Sequence, residues 1–196
     1  TNAKSYNELR DSVSQEWSSY ILETFPNSNF LFIPNIKNKV IDYVRNWSIN
    51  VLILTGGSDI GKYPDRDLTE LLLIDYALKN KIPIIGICRG MQLIHNYFGG
   101  KFSEKNSSFS KRHVCNPHLI IYNGKSYKVN SFHNNKIDDT SLDKSFNIFA
   151  KCKEDDSTEG FFNKKVLCMM WHPEREKSYH KWNQTLIKNF ILNYEN

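Results

Sequence analysis

Two short segments of this sequence place reactive side chains beside residues that fix their geometry. In the segment Gly86-Ile87-Cys88-Arg89-Gly90, a cysteine stands between two glycines where the apolar run Ile82 to Ile87 meets a helical pattern. Glycines at these positions permit a tight strand-to-helix turn that holds the cysteine at the top of a sheet. The N–H groups that open the helix favour a thiolate over a thiol. The segment therefore predicts a cysteine nucleophile, although a buried core cysteine whose glycines only permit packing fits it equally well.

The second segment, Trp171-His172-Pro173-Glu174, follows the apolar run Val166 to Met170 and offers a base for that nucleophile. A cysteine nucleophile needs a base to take and return a proton, and the base needs a carboxylate to fix its tautomer. Side chains two residues apart in an extended segment point the same way, so Glu174 can orient His172. Together the two segments predict acyl transfer through a Cys88, His172 and Glu174 triad.

Alternating strand and helix patterns position both segments. Helices are predicted at Tyr6 to Thr24, Val40 to Trp47, Asp67 to Leu78, Gly90 to Phe98 and Trp182 to Tyr194. Strands are predicted at Phe30 to Ile33, Val51 to Leu54, Ile82 to Ile87, His118 to Tyr122, Ser126 to Val129, Phe146 to Lys151, Gly160 to Phe162 and Val166 to Met170. Fully apolar strands between helices are typical of a parallel sheet covered on both faces. The predicted fold is α/β, a three-layer sandwich with a mostly parallel central sheet, flanking helices and a small antiparallel region in the C-terminal half.

The composition narrows the class of protein. The 196 residues fit one domain, 1–196, since single domains usually run about 100 to 200 residues. The apolar runs are far shorter than the roughly 18 residues that cross a bilayer, and the first residues lack the order of a secretory signal. We therefore expect a cytoplasmic protein with no membrane partner. The net charge of +5 weakly favours an anionic ligand, and scattered basic residues argue against nucleic-acid binding.

The remaining cysteines and two histidines are predicted to be structural. Cys115, Cys152 and Cys168 form no Cys-x-x-Cys pair, which argues for free thiols and against a zinc cluster. We expect these three cysteines to be small apolar fillers in or near strands. His95 and His113 are expected to be structural or exposed rather than catalytic.

Four ordered motifs make the sequence similar to the class I glutamine amidotransferases: Gly56-Gly57, Gly86-Ile87-Cys88-Arg89-Gly90-Met91-Gln92, Asn130-Ser131-Phe132-His133 and Trp171-His172-Pro173-Glu174. The resemblance spans about Phe30 to Tyr194 and implies the flavodoxin-like glutaminase fold. Arg66-Asp67-x-x-Glu70, Cys-Arg-Gly-x-Gln and Gly99-Gly100 resemble the free-standing γ-glutamyl hydrolases rather than synthetase-bound glutaminases. Family members usually open with a strand of the type Ile-Gly-Ile, so we expect either that the sheet lacks this strand or that upstream residues form it.

The resemblance implies a role for each motif residue. Cys88 is the nucleophile, His172 is the general base and acid, and Glu174 orients His172. The backbone N–H groups of Gly57 and Arg89 form the oxyanion hole. The glutamyl group is held by Gln92 and by the segment Asn130, Ser131, Phe132 and His133. Two alternatives stay open, namely Gln92 as a helix-surface residue and His133 as a solvated loop histidine.

The resemblance also bears on the substrate. Glu174-Arg175-Glu176 after His-Pro and the short length are most similar to hydrolases of γ-glutamyl-CDP-amidate (CDP-L-glutamine) in bacterial capsule phosphoramidate biosynthesis. The implied reaction passes through a γ-glutamyl thioester and gives L-glutamate and cytidine diphosphoramidate. Neither a metal nor an organic cofactor is expected, because thiolate, imidazole and oxyanion hole complete the acyl chemistry. Four basic residues are candidates to meet a pyrophosphate, with ordinary surface charge an equally good account of each: Lys62, Arg66, Arg112 and Arg175.

Two other activities stay open at this point. One is hydrolysis of a γ-glutamylated amine such as γ-glutamyl-aminobutyrate. The other is a glutaminase subunit that docks on a synthase and passes it ammonia, although no obligate synthase partner is expected. A protein that only binds ligand is disfavoured because all three triad positions are filled.

Overall fold

Seven strands form one mixed sheet in the computed structural model, which describes residues 2–3, 8–103, 107–176 and 180–194. With a separate pair of short strands, the described residues contain nine strands: β1 (Asn2–Ala3), β2 (Glu8–Leu9), β3 (Leu52–Leu54), β4 (Ile84–Ile87), β5 (His118–Tyr122), β6 (Lys125–Val129), β7 (Asn147–Cys152), β8 (Thr158–Phe162) and β9 (Val166–Met169). The sheet has the order β3-β4-β9-β8-β7-β5-β6, and β1 pairs with β2 outside it. Among the described residues, every strand of the large sheet therefore follows the first helix.

Six α-helices lie within the described residues, and helices pack on both faces of this sheet. They are α1 (Gln15–Thr24), α2 (Val40–Arg45), α3 (Pro64–Lys79), α4 (Arg89–Tyr97), α5 (Ser107–His113) and α6 (Lys181–Tyr194). Alternate side chains of β4 point to opposite layers. Ile84 lies in the hydrophobic cluster of α2, α3 and α4, and Ile85 lies in a second cluster with Trp17 of α1 and Ile187 of α6. The predicted α/β class and three-layer arrangement are confirmed. None of the helices described is long and apolar enough to cross a membrane.

The antiparallel part of the sheet is larger than the sequence predicts. Only β3, β4 and β9 run parallel to one another, and every other pairing in the sheet is antiparallel. The predicted strand Phe30 to Ile33 is not a strand. Phe30 and Phe32 are 38% and 48% exposed and pack on each other rather than on the sheet. Without that strand the parallel part stops at three strands.

The helices differ from the prediction most clearly in the late start of α1 and in the presence of α5. The helix predicted from Tyr6 begins at Gln15, and Tyr6 itself lies outside the described residues. Leu9 and Val13 are exposed, so they do not extend the buried face of α1, and the Ser14 hydroxyl accepts a hydrogen bond from the backbone of the first turn. Helix α5 was not predicted, because its sequence is short and polar.

The parallel strands deliver the two reactive segments to one edge of the sheet. Strand β3 leads into Gly56 and Gly57, β4 leads into Cys88, and β9 leads into His172. The carboxyl ends of parallel strands meet at the same edge of a sheet, which is where ligands of open α/β sheets bind. The topology therefore assembles the motifs that the sequence singled out.

Candidate active site

Cys88 occupies a strained turn between β4 and α4. Its backbone angles are φ 51° and ψ −105°, a left-handed conformation that costs a residue with a side chain about 1 to 3 kcal/mol. Hydrogen bonds hold both backbone polar groups of Cys88. The Cys88 N–H donates to the Met169 carbonyl at 2.8 Å, and the Cys88 carbonyl accepts from the Gln92 N–H at 3.0 Å. A Cβ atom on Gly90 would lie 2.1 Å from the Leu54 carbonyl oxygen. The predicted elbow is present, and the glycine at 90 is required by the close approach of β3.

Burial makes the Cys88 thiol a weak acid. It raises the pKa of Cys88 to about 12, and a hydrogen bond from the Arg89 backbone N–H and the charge of Arg175 oppose that rise only in part. The N–H at the start of the helix acts in the expected direction, because it lowers the pKa of Cys88, but burial outweighs it. The thiol must lose its proton to a base during the reaction.

His172 is held by a carboxylate in the way that a catalytic base requires. Its Nδ1 lies 2.6 Å from Glu174 Oε1, and both side chains are buried. A carboxylate at Nδ1 keeps the proton on that nitrogen and leaves Nε2 to accept another. The ring lies against the end of β3, because a Cβ atom on Gly56 would be 2.3 Å from His172 Cε1. The negative charge of Glu174 also raises the pKa of the Cys88 thiol, so Glu174 lies close enough to Cys88 to act on it.

Asn130 holds the backbone of His172 from both sides. Its Nδ2 donates to the His172 carbonyl at 2.7 Å, and its Oδ1 accepts from the His172 N–H at 2.9 Å. The same Nδ2 also donates to Glu176 Oε1 at 2.7 Å. The sequence predicts that Asn130 grips substrate, but these contacts make it a positioning residue for His172.

We expect Asn130→Ala to lower kcat by up to about 100-fold, because a shift of about 1 Å in a catalytic group can cost that much. KM should change little, since Asn130 contacts His172 and Glu176. Asn183→Ala is a matched control. It removes another buried amide hydrogen bond, the one from Trp171 Nε1 at 3.0 Å, and should lower Tm while kcat is kept. A rise in KM with unchanged kcat in Asn130→Ala would restore the substrate-binding role.

A buried ion-pair network joins α3 to the start of α4. The Arg89 guanidinium, 2% exposed, pairs with Asp67 and with Glu70. The spacing of Asp67 and Glu70 is typical of a capping box, but α3 begins at Pro64 and both carboxylates bind Arg89 instead. The network fixes the helix end whose first N–H reaches the Cys88 sulfur.

Arg66 extends this network to the end of β3. Its Nε pairs with Glu70 at 2.7 Å, and one of its terminal nitrogens donates to the carbonyls of Thr55 and Gly56, each at 3.1 Å. A Cβ atom on Gly57 would lie 2.1 Å from the guanidinium. These contacts favour a positioning role for Arg66 over the direct contact with substrate that the sequence predicts. Arg66 and Arg89 together hold the two backbone segments assigned to the oxyanion hole.

Three predicted glutamyl-binding residues are buried. Gln92 is 4% exposed and accepts a hydrogen bond from Asn135 at 3.3 Å, so it is not a helix-surface residue. The Ser131 hydroxyl donates to the His113 carbonyl at 2.5 Å. His133 lies between the Asn135 carbonyl and Glu159, so it is not a solvated loop residue, and its role in holding the glutamyl group stays a prediction.

Phe132 and Arg175 lie at the exposed side of the triad. Phe132 is 41% exposed and meets the His172 ring edge to face at a centroid distance of 5.6 Å. The Arg175 guanidinium lies 4.8 Å from the centre of the Phe132 ring and 3.7 Å from Glu174 Oε1. Arg175 is thus the basic side chain whose charge acts on Cys88.

The other predicted anion-binding residues are engaged elsewhere. The Lys62 ammonium lies 5.8 Å from the ring centre of its neighbour Tyr63. Arg112 pairs with Asp155 at 3.4 Å. These contacts are compatible with ordinary surface charge. Arg175 also lies 3.9 Å from Glu16 Oε2, and it is the candidate whose charge lowers the pKa of Cys88.

The three other cysteines differ from Cys88 in their surroundings. All four cysteines, each within the described ranges, are free thiols. Cys152 and Cys168 are buried in β7 and β9 as predicted, whereas Cys115 is exposed in a left-handed turn after α5. The prediction of an apolar filler is therefore wrong for Cys115.

The side chains of His113, His133 and Glu159 form a buried group that could bind a metal ion.

Comparison with known proteins identifies relatives of this arrangement. The model of the family described as glutamine amidotransferase class-I matches residues 10–194. The γ-glutamyl-CDP-amidate hydrolase of Campylobacter jejuni subsp. jejuni serotype O:2 is 31% identical over 195 residues, covering 95% of this chain and 91% of that protein. One subunit of the glutamine-hydrolysing GMP synthase of Methanococcus aeolicus is 26% identical over 162 residues, or 81% of this chain and 80% of that protein. A crystal structure from Thermoplasma acidophilum, provisionally described as one subunit of a GMP synthase, has the same fold, with a TM-score of 0.71 at 20% identity over 96% of this chain and 91% of the other.

Proposed function

Because this chain belongs to the class-I glutamine amidotransferase family, we propose that it hydrolyses a γ-glutamyl amide with Cys88, His172 and Glu174. The observation that carries the proposal is the left-handed backbone of Cys88 at the edge where His172 and Glu174 form a 2.6 Å hydrogen bond. Strain of this kind persists where the surrounding structure enforces it, and it concentrates at active sites.

The proposed reaction forms and breaks one thioester. The Cys88 sulfur attacks the γ-carbonyl carbon while its proton moves to His172 Nε2. The backbone N–H groups of Gly57 and Arg89 stabilise the oxyanion, and one such donor typically contributes about 3 to 4 kcal/mol. His172 then protonates the departing nitrogen, and the C–N bond breaks. Water, deprotonated by His172, attacks the γ-glutamyl thioester, and the thiol and L-glutamate are released.

The proposed substrate is CDP-L-glutamine, cleaved to L-glutamate and cytidine diphosphoramidate. Its support is the relative that is 31% identical over 95% of this chain, together with Arg175, whose side chain is one-third exposed beside the triad. A guanidinium in this place suits a pyrophosphate, which it can bind through two parallel hydrogen bonds. On the same proposal, the cytidine diphosphoramidate that is released serves capsule phosphoramidate synthesis.

A glutaminase subunit is the second candidate. The similarity to a GMP synthase subunit at 26% identity favours it. Such a protein would act on free glutamine and depend on a synthase for full activity. A substrate panel therefore distinguishes the two candidates.

We expect kcat/KM for CDP-L-glutamine to exceed that for γ-glutamyl-aminobutyrate and for glutamine by at least about tenfold, since one charge-assisted hydrogen bond contributes about 1.5 kcal/mol or more. Added salt should raise KM for CDP-L-glutamine, because exposed charges are screened over about 8 Å at physiological ionic strength. Its kcat should stay nearly constant, since the covalent step takes place at buried residues.

Arg175→Gln should remove the preference for CDP-L-glutamine. Arg45→Gln is the control, because Arg45 forms an exposed ion pair with Asp42. Equal turnover of glutamine would favour the glutaminase candidate. Equal loss on every substrate in Arg175→Gln would contradict the pyrophosphate role and assign Arg175 to the triad through its contact with Glu174.

A further inference from the structure

Three histidines and one glutamate, His113, His118, His133 and Glu159, form a buried cluster beside the active site. We refer to these four residues as the His/Glu cluster. Glu159 and His113 are 0% exposed, His133 is 4% exposed and His118 is 8% exposed. The members come from α5, β5, the segment after β6, and β8. The mechanism proposed above uses none of them.

The facing atoms of the cluster are close together but not hydrogen bonded to one another, and Glu159 Oε1 accepts a hydrogen bond from the Ser157 hydroxyl at 3.5 Å. Glu159 Oε1 lies 3.6 Å from His113 Nδ1 and 3.4 Å from His133 Nε2. Both nitrogens are fully buried and have no hydrogen-bond partner among the described residues. Roughly 90% or more of buried polar atoms in proteins are hydrogen bonded. Two buried nitrogens without hydrogen bonds, both facing one carboxylate, therefore offer a set of atoms that can bind a cation.

The spacing suits a tetrahedral metal ion. Zinc bonds to histidine nitrogen and carboxylate oxygen are about 2.0 to 2.2 Å long, which places tetrahedral ligand atoms roughly 3.3 to 3.5 Å apart. The observed separations of 3.4 and 3.6 Å fall close to that value. All three ligand atoms lie within 4.8 Å of one another.

The opposite nitrogen of each histidine is already held. His113 Nε2 lies 3.0 Å from Asp155 Oδ2, and His133 Nδ1 lies 3.2 Å from the Asn135 carbonyl oxygen. Histidines that bind metals almost always use the other ring nitrogen in this way, donating to a carboxylate or a carbonyl. These contacts orient Nδ1 of His113 and Nε2 of His133 towards Glu159.

We propose that His113 Nδ1, His133 Nε2 and Glu159 Oε1 bind one zinc ion. His118 Nε2, 3.4 Å from Glu159 Oε2, orients the carboxylate. The ion would tie α5 to the segment that contains Asn130, the residue that holds His172. The backbone carbonyl of Glu159 also accepts from Met170 N–H at 2.8 Å, two residues before His172. Zinc at this site positions the base-bearing segment and takes no part in the acyl transfer, so the inference stands independently of the proposed function.

The test is the zinc content and thermal stability of the purified full chain. We expect close to one zinc per chain by elemental analysis, removal by a strong chelator, and rebinding of added zinc ion. Zinc at about 1,000 times its dissociation constant should raise Tm by roughly 8 to 16 °C. Glu159→Gln and His113→Ala should lose the bound zinc. His95→Asn is the matched control, because His95 is an equally buried histidine that contacts the Lys101 carbonyl outside the cluster, and it should keep the zinc.

A second measurement checks the ligand set and covers variants that fail to fold. His113, His118 and Cys152 form an alternative group of possible ligands, and a cobalt ion bound there would show a sulfur-to-cobalt charge-transfer band. The cobalt-loaded wild-type protein should lack that band, and Cys152→Ser should leave its spectrum unchanged. A sulfur band that disappears in Cys152→Ser would overturn the proposed ligands. Wild-type protein that neither retains zinc nor gains Tm with added zinc would overturn the site altogether.

Discussion

Cys88→Ala should lose γ-glutamyl amide hydrolysis, with kcat lower by roughly 10⁴- to 10⁶-fold, the range found when a triad nucleophile is removed. Without the sulfur no thioester can form, and the remaining oxyanion donors act only on attack by water. The fold should be kept, because alanine retains both backbone hydrogen bonds of Cys88. Steady-state kinetics and a thermal melt on the same preparation measure the two effects.

Cys168→Ala is the matched control for this variant. Cys168 is a second buried cysteine of the parallel strands, paired with Gly86 across β4 and β9. Its replacement should lower Tm through the small cavity it leaves, while kcat stays near the wild-type value. Retained activity in folded Cys88→Ala, or loss of activity confined to Cys168→Ala, would contradict the assignment of the nucleophile.

Glu174→Gln should lower kcat by about 10³- to 10⁴-fold while KM changes little. A neutral amide no longer stabilises the imidazolium that forms in the transition state, and it permits the wrong tautomer of His172. The effect should be large because both residues are 1% exposed, so water screens the lost charge poorly. The measurement is kcat and KM with the substrate that the panel identifies.

Glu176→Gln is the control for the loss of a carboxylate from the same turn. Glu176 accepts from Asn130 Nδ2 at 2.7 Å and does not contact the His172 ring. We expect kcat to fall far less in Glu176→Gln than in Glu174→Gln. An unchanged kcat with a raised KM in Glu174→Gln would instead make Glu174 a binding residue.

The parts of this structure that sequence reasoning predicts are those encoded by neighbouring residues. The hydrogen-bonded pair His172 and Glu174 depends on side chains two positions apart. The cysteine elbow depends on glycines within two residues of Cys88. Both segments follow short apolar strands, so their arrival at one sheet edge was also predictable from the alternation of strands and helices.

Contacts between distant segments could not be predicted in this way. Asp67 and Glu70 match a helix-capping pattern, and nothing nearby in the sequence shows that Arg89, about twenty positions later, takes both carboxylates. The histidines at 113 and 133 likewise carry no metal-binding spacing, and only the fold brings the end of α5 and the segment after β6 to Glu159 of β8. The strand predicted at residues 30–33 was wrong because an apolar run alone does not supply a pairing partner.

The high pKa of Cys88 has a consequence for oxidative damage. Because burial raises the pKa of Cys88 to about 12, very little of the thiol is ionised at neutral pH. Peroxides and simple alkylating reagents react with the thiolate rather than the thiol, so the rates of these reactions depend on the ionised fraction of the cysteine and on its exposure. The Cys88 thiol should therefore resist oxidation between turnovers. A covalent inhibitor must resemble a γ-glutamyl group closely enough for the Cys88 proton to transfer to His172 when the inhibitor binds.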